Sequence, residues 1–189
     1  RAAAGPDFTV TLSSNVNNYN LATDLSNNGG SYGAGNWDGT SAITVVLNID
    51  AGVTVYSANT STPALVVDLA TSDSVLTINN SGNVVGKGGA GAAGDLSNGA
   101  TGGDGGAGAA ASSATSAAGS GVAGSGNGNG GNGGDFGAAG LNGTNATGSG
   151  CKVNNGSGGT GGAAGKAIRA VSGVSQTLNN SGTVAGATS

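Results

Sequence analysis

The sequence predicts a mainly β protein with almost no helix. A small β-sheet or solenoid unit is followed by a glycine-rich slab of polyglycine-II-like segments and then by a returning β rung. Three observations predict it. Glycines fall at a spacing of three through Gly128, Gly131, Gly134, Gly137, Gly140 and Gly143, and the spacing recurs at Gly88–Gly94, Gly99–Gly108 and Gly156–Gly165. Apolar and polar residues alternate before Val85 with the period of two that marks half-buried strands. Finally, Ile78-Asn79-Asn80-Ser81-Gly82-Asn83-Val84-Val85-Gly86 returns as Leu178-Asn179-Asn180-Ser181-Gly182-Thr183-Val184-Ala185-Gly186. A repeat on either side of a long excursion suggests two stacked rungs.

Taken in order, Asp7 to Ser13 alternates Phe8, Val10 and Leu12 with Thr9, Thr11 and Ser13, and reads as a strand. Asn17 to Leu25 reads as a short helix with an asparagine cap, its Leu21 and Leu25 four apart on one face. Ser26 to Gly35 is a polar loop, and Trp37-Asp38-Gly39 a turn whose tryptophan covers the end of a small core. Strands follow at 42–49, 53–57, 64–69 and 74–79, with a tight turn at Ile49-Asp50-Ala51-Gly52. Pro63 fits a strand start, where no ladder donor is lost.

The tract from Gly86 to Gly165 then takes over. Three residues per turn is the period of the polyproline-II helix, which has no internal hydrogen bonds. One glycine per turn leaves an edge bare, so a neighbouring backbone can approach and exchange N–H···O=C bonds. The longest run, 128–143, would span roughly 50 Å at about 3.1 Å per residue. Segments 95–98, 109–118 and 145–155 break the period and read as turns between such helices. The organisation expected is a β-rich scaffold unit (1–85), a glycine-rich region (86–165) and a returning rung (166–189).

Composition limits the alternatives. The chain has 189 residues with 42 glycines, 3% aromatic and 7% charged residues, enough for one domain or a small domain with an appendage. Collagen is excluded because both prolines, Pro6 and Pro63, lie outside the tract. Gly130 to Asp135 matches only part of one calcium-binding nonapeptide and has no tandem copy, so no metal site is expected. A flexible linker shares the composition but does not need the triplet spacing. A regular threonine or alanine array, as ice binding requires, is missing from the triplets.

A net charge of −4 with five basic residues argues against a nucleic-acid partner. No apolar run reaches the roughly 18 residues of a membrane span. The single cysteine, Cys151, excludes an intrachain disulfide. The chain lacks methionine even at position 1, and we expect a processed product or an excerpt of a longer one.

Catalysis finds little support. There is no histidine and no glutamate, and the aspartates lie singly, mostly in turns. Cys151 beside Lys152 reads as a packed thiol before a reactive one, and Gly86-Lys87 lacks the spacing of a phosphate loop. No catalytic residue and no cofactor are expected. Recognition usually sits on loops carried by a rigid scaffold. The binding candidates are therefore residues that interrupt the triplets: Asp95, Leu96 and Asn98 in one break, and Asn142, Thr144, Asn145 and Lys152 in another. Phe136, the only aromatic in the tract, either packs between helices, the reading we favour, or stands out as an anchor.

Several segments carry a family resemblance: residues 8–21 (Phe-Thr-Val-Thr-Leu-Ser-Ser-Asn-Val-Asn-Asn-Tyr-Asn-Leu), Trp37-Asp38-Gly39, 47–55 (Leu-Asn-Ile-Asp-Ala-Gly-Val-Thr-Val), 61–65 (Ser-Thr-Pro-Ala-Leu), 76–86, and Gly165-Lys166-Ala167-Ile168-Arg169-Ala170. In order, they resemble a glycine-rich domain of tailed-bacteriophage tail and fibre proteins, similar to phage tip adhesins with polyglycine-II sandwiches. The resemblance implies an extracellular virion protein of the tail fibre or tail tip that binds a host cell-surface receptor. That receptor would be a saccharide or an outer-membrane protein. Other tail proteins are implied as partners, and we expect several copies, hence a homo-oligomer. The alternatives are a purely structural virion component (tail-tip, fibre-base or capsid-decoration subunit) and a secreted bacterial glycine-rich surface protein.

Overall fold

A computed structural model describes residues 6–33, 35–69, 72–94, 129–144, 159–170 and 174–188. The alternating segments form the sides of stacked rungs. The first rung is β1 (Phe8–Leu12), β2 (Val16–Asn17) and β3 (Tyr19–Asn20); the second is β4 (Thr44–Ile49), β5 (Thr54–Tyr56) and β6 (Leu65–Val67). The third is β7 (Val75–Asn80), β8 (Asn83–Val85) and β9 (Ile168–Ala170), and the fourth contains β10 (Ser175–Asn180) and β11 (Thr183–Ala185). Every strand pairing is parallel, in sheets ordered β1-β4-β7-β10, β2-β5-β8-β11 and β3-β6-β9. A parallel bridge between Ile168 and Thr188 marks the third side of the last rung. Parallel strands need long crossovers, and here the other two sides of each rung supply them. The result is a three-sided parallel β-solenoid.

Period-two alternation, repeated in register, builds its core. Val10, Leu47 and Ile78 form one inward column, and Phe8, Val45 and Leu76 the next. Val16, Val55 and Val84 line the second side. Val10, Val45, Leu47, Val55, Leu65, Leu76 and Val84 are fully buried. Each such aliphatic side chain contributes about 1.5–3 kcal/mol relative to exposure. On the outer face a carboxamide ladder runs through the rungs: Asn79 Nδ2 donates to Asn48 Oδ1 at 2.9 Å, and Asn179 Nδ2 to Asn79 Oδ1 at 2.9 Å. The twin Asn-Asn-Ser-Gly motifs pair position for position, Asn79 with Asn179 and Asn80 with Asn180.

Helix α1 spans Leu21–Asn28, so the expected helix over 17–25 is displaced towards the C-terminus. Asn17, Tyr19 and Asn20 belong to strands because the solenoid takes them as ladder partners of Tyr56, Leu65 and Val66. Asn18, at φ 46°, turns the corner between them. The cap is Asn20, whose Oδ1 accepts from Thr23 N at 3.1 Å. Leu21 and Leu25 share the buried face as their spacing predicts. The following chain covers the first rung: Phe8 bridges Gly33, and Thr9 N donates to Tyr32 O at 3.0 Å. This satisfies part of an edge strand that would otherwise invite pairing with another chain. Trp37 is buried in the same cluster, its Nε1 donating to Ser41 O at 2.9 Å.

The return after the glycine tract comprises β9, which completes rung three, and the fourth rung beyond it. The excursion therefore interrupts a single rung, between its second side and its third.

The glycine slab and its far end

Four extended runs of the tract, 86–94, 129–135, 138–144 and 159–165, lie side by side. The first and third run in the same direction, and the second and fourth run against them. Gly89 N donates to Ala138 O and Ala92 N to Leu141 O, each at 3.0 Å, joining the first run to the third. Gly134 N and Gly131 N donate to Gly89 O and Ala92 O of the first run at 2.8 Å. From the fourth run, Gly165 N, Gly162 N and Gly159 N reach Lys87 O, Ala90 O and Ala93 O at 2.7, 2.7 and 3.0 Å. The third run bonds to the second through Leu141 N and Asn132 O (2.8 Å), and to the fourth through Gly140 N and Gly162 O (2.9 Å). In each pairing, successive bonds are three residues apart.

Backbones so close leave no room for side chains between them. A Cβ on Gly89 would lie 2.0 Å from Gly162 O, and one on Gly140 would lie 2.0 Å from Ala90 O. In the second and third runs the packed glycines Gly131, Gly134, Gly140 and Gly143 keep the triplet spacing, whereas Gly89 and Gly161 are packed outside the registers read from the sequence.

One expectation is corrected here. The unbroken register 128–143 does not form a single rod of roughly 50 Å, because the chain reverses at Asp135–Ala138. Ala138 N donates to Asp135 O at 2.9 Å, and Gly137 takes φ 65°. Gly137 sits at a position the period assigns to packing, yet it serves the turn. Glycine suits both roles, so the sequence spacing shows no break where the chain turns back.

The reversal decides which ends meet. The first run leaves the solenoid at Gly86 and ends at Gly94; the second begins at Asn129 and returns to the turn. The third runs out again to Thr144, and the fourth returns from Gly159. At the far end Thr144 N donates to Asn129 O at 2.9 Å, Gly159 N to Ala93 O at 3.0 Å and Gly143 N to Gly159 O at 3.1 Å. Gly94, Asn129, Thr144 and Gly159 are therefore gathered at one end, opposite the solenoid.

Of the sequence-predicted binding residues, the structure brings Asn142 and Thr144 to this end. Both are exposed and both staple neighbouring runs. Asn142 Oδ1 accepts from Gly161 N at 2.9 Å, and Thr144 Oγ1 accepts from Asn129 N at 2.7 Å. Their role in holding the slab was missed in the sequence, where only their departure from glycine stood out. Phe136 is half-buried in the turn at the opposite end of the slab. Asp95, Leu96, Asn98, Asn145 and Lys152 lie outside the described residues, as do the breaks 95–98, 109–118 and 145–155. In the chain, Asp95 directly follows Gly94 and Asn145 directly follows Thr144. Leu141, one turn before Thr144, is 59% exposed. The described surface at the far end thus presents hydroxyl, carboxamide and aliphatic groups.

Perturbed ionisation belongs to the scaffold. Tyr19 and Tyr32 both donate to Asp24 Oδ2, at 2.5 and 2.9 Å, and Asn28 Nδ2 donates to Asp24 Oδ1 at 2.7 Å. Burial, reinforced by the hydrogen bond to the Asp24 carboxylate, pushes both phenols above the ordinary tyrosine range. Asp38 accepts from the Ser41 hydroxyl and from the Ser41 and Thr40 backbone amides, which hold its carboxyl well below the usual range. The Asp24 group ties the helix to Tyr19 and Tyr32, and the Asp38 group closes the Trp37 turn on itself. Among the described residues, no group of three acidic, cysteine or histidine side chains could hold a metal ion. No helix among them is long and apolar enough to cross a membrane.

The described residues form a solenoid base carrying a hydrogen-bonded slab, with the residues that flank 95–128 and 145–158 at the slab's far end. The family model for phage tail fibre adhesin Gp38 matches residues 7–107, and the chain belongs to that family. It is a tail-fibre adhesin and a component of the virion tail. Its fold is similar to the crystal structure of the gp37–gp38 adhesin tip complex of the bacteriophage S16 long tail fiber. The TM-score is 0.52 at 22% identity, covering 96% of this chain and 82% of that chain. No curated protein matches the sequence.

Proposed function

We propose that this adhesin attaches the virion to its host through the segments carried at the far end of the slab, 95–128 and 145–158. The observation that carries the reading is the gathering of Gly94, Asn129, Thr144 and Gly159, the residues flanking both segments, at one end. Two segments distant in sequence thereby share one platform. Cross-linking by hydrogen bonds every third residue gives that platform its stiffness where core burial cannot. We read the four runs as a small polyglycine-II sandwich and the chain as three parts: scaffold (1–85), slab (86–165) and return (166–189).

The reading is non-enzymatic: the residues carry recognition and no reaction. The receptor is a saccharide or an outer-membrane protein of the host, contacted by Asp95, Leu96, Asn98, Asn145 and Lys152. Asn142 and Thr144 hold neighbouring runs of the slab together. Phe136, at the other end of the slab, serves the turn. Because the similar S16 structure is a complex with gp37, a second tail-fibre protein is the expected neighbour in the virion, in an assembly of several copies.

Replacing 145–152 with a glycine-serine loop, while keeping Asn142 and Thr144, tests this directly. Binding of the purified chain to host cells is expected to disappear while the melting of the scaffold is unchanged. Full binding by the replaced chain would overturn the assignment and favour a purely structural virion part.

A further inference from the structure

The slab joins the solenoid covalently at two places, through Val85–Gly86 on the way out and Gly165–Lys166 on the way back. The two crossings are adjacent, since Gly165 N donates to Lys87 O at 2.7 Å. Two neighbouring attachments define an axis, and a body held only there can swing about it. A third contact joins the slab turn to the fourth rung: Gly137 lies against Ala185 and Gly186, and both sides meet the outgoing crossing, Gly137 N donating to Gly86 O at 2.9 Å and Gly86 N to Ala185 O at 2.8 Å.

The fit at this contact is close. A Cβ on Gly137 would lie 2.2 Å from Gly186 N and 2.4 Å from Ala185 C. A Cβ on Gly186 would lie 2.9 Å from Ala167 N and 3.0 Å from Gly165 O, and Gly186 has φ 125°. Gly137, 49 positions before Gly186, is therefore bare where the slab turn sits against the rung corner, and Gly186 is bare where that corner meets Ala167 and the return crossing at Gly165.

We infer that Gly137 and Gly186 are positioning residues: the fourth rung is the seat that fixes the direction in which the slab presents its far end. This extends the repeated motif's role beyond closing the core, because its final glycine meets the slab. The consequence for attachment rests on the far-end reading proposed above, but the seat itself is testable without any receptor.

Spin labels on Thr9→Cys and Leu141→Cys, in a Cys151→Ser background of the full chain, report the distance between solenoid and slab. Gly137→Ala is expected to widen the distance distribution roughly twofold, because the slab regains its hinge, while the melting of the scaffold stays in place. Gly52→Ala, which imposes strain at a positive φ far from the seat, is expected to leave the width unchanged. An unchanged width in Gly137→Ala, or equal widening in Gly52→Ala, would overturn the inference. Should Gly137→Ala not fold, Gly186→Ala carries the same expectation. Hydrogen exchange on the unsubstituted chain is the independent check: the Gly86 and Gly137 amides should be as protected as those of Ala92 and Gly140, and free exchange at the first two would refute the seat.

Discussion

Asn80 and Asn180, one hundred residues apart, face each other on adjacent rungs with Asn80 Nδ2 2.7 Å from Asn180 Oδ1. Asn80 is buried, also donates to Thr183 O at 3.3 Å, and accepts from Gly82 N at 3.1 Å. Removing its carboxamide leaves those groups without their partner. Asn80→Ala should destabilise the fold by about 2–4 kcal/mol, since each lost bond contributes about 1 kcal/mol and stranded buried groups add to that. Asn80→Asp should cost more, because a carboxylate cannot donate to Asn180 Oδ1 or Thr183 O. Urea denaturation followed by circular dichroism measures both.

Glycine substitutions should divide by what surrounds them. Gly89→Ala drives a methyl into Gly162 O and should loosen the slab by about 3 kcal/mol or more. Gly39→Ala meets nothing within 4 Å and carries only the strain of φ 79°, about 1–2 kcal/mol. Limited proteolysis should cut the first variant within 86–165 and leave the solenoid whole. Equal protection of both variants would contradict the slab geometry.

Alkaline pH should weaken the scaffold. The folded state holds the Tyr19 phenol above its unfolded value of about 10, so its contribution is fully present below pH about 10 and is lost as pH rises beyond it. Unfolding free energy should therefore fall between pH 10 and 12, following the tyrosinate absorbance. Tyr19→Phe should start about 1 kcal/mol lower, for the lost hydrogen bond to Asp24, and decline less steeply.

Phe136→Ala separates the two ends of the slab. The side chain is half-buried in the turn beside the solenoid, so its loss should cost about 1–2 kcal/mol, below the range for a fully buried phenylalanine. Host-cell binding by the folded variant should match that of the unsubstituted chain. A loss of binding without a loss of stability would make Phe136 part of the recognition surface.

Much of the fold was legible because its periods are short. Alternation in Thr44–Ile49 and Val75–Asn80 names the inward residues, and Leu21 with Leu25 names the buried face of a helix. The helix start was harder to read. Asn17 and Asn20 are equally good caps by residue type, and only the pairing of Tyr19 with Leu65 makes the second the cap. For the candidate site, the non-glycine residues Asn142 and Thr144 stood out at once. Their roles as staples depend on Gly161 and Asn129, partners that local pattern does not reveal.

The sequence by itself determined that the chain is a β scaffold with a glycine excursion of period three, because strand alternation, steric exclusion of side chains and a repeated motif are all written in residue order. Only the tertiary structure decided that the excursion folds back at Gly137, that Gly94, Asn129, Thr144 and Gly159 meet at one end, and that Gly186 lies beneath the turn. Those relations depend on which carbonyl each amide finds. The hydrogen bonds between the runs join segments distant along the chain, and residue order alone does not say which will meet.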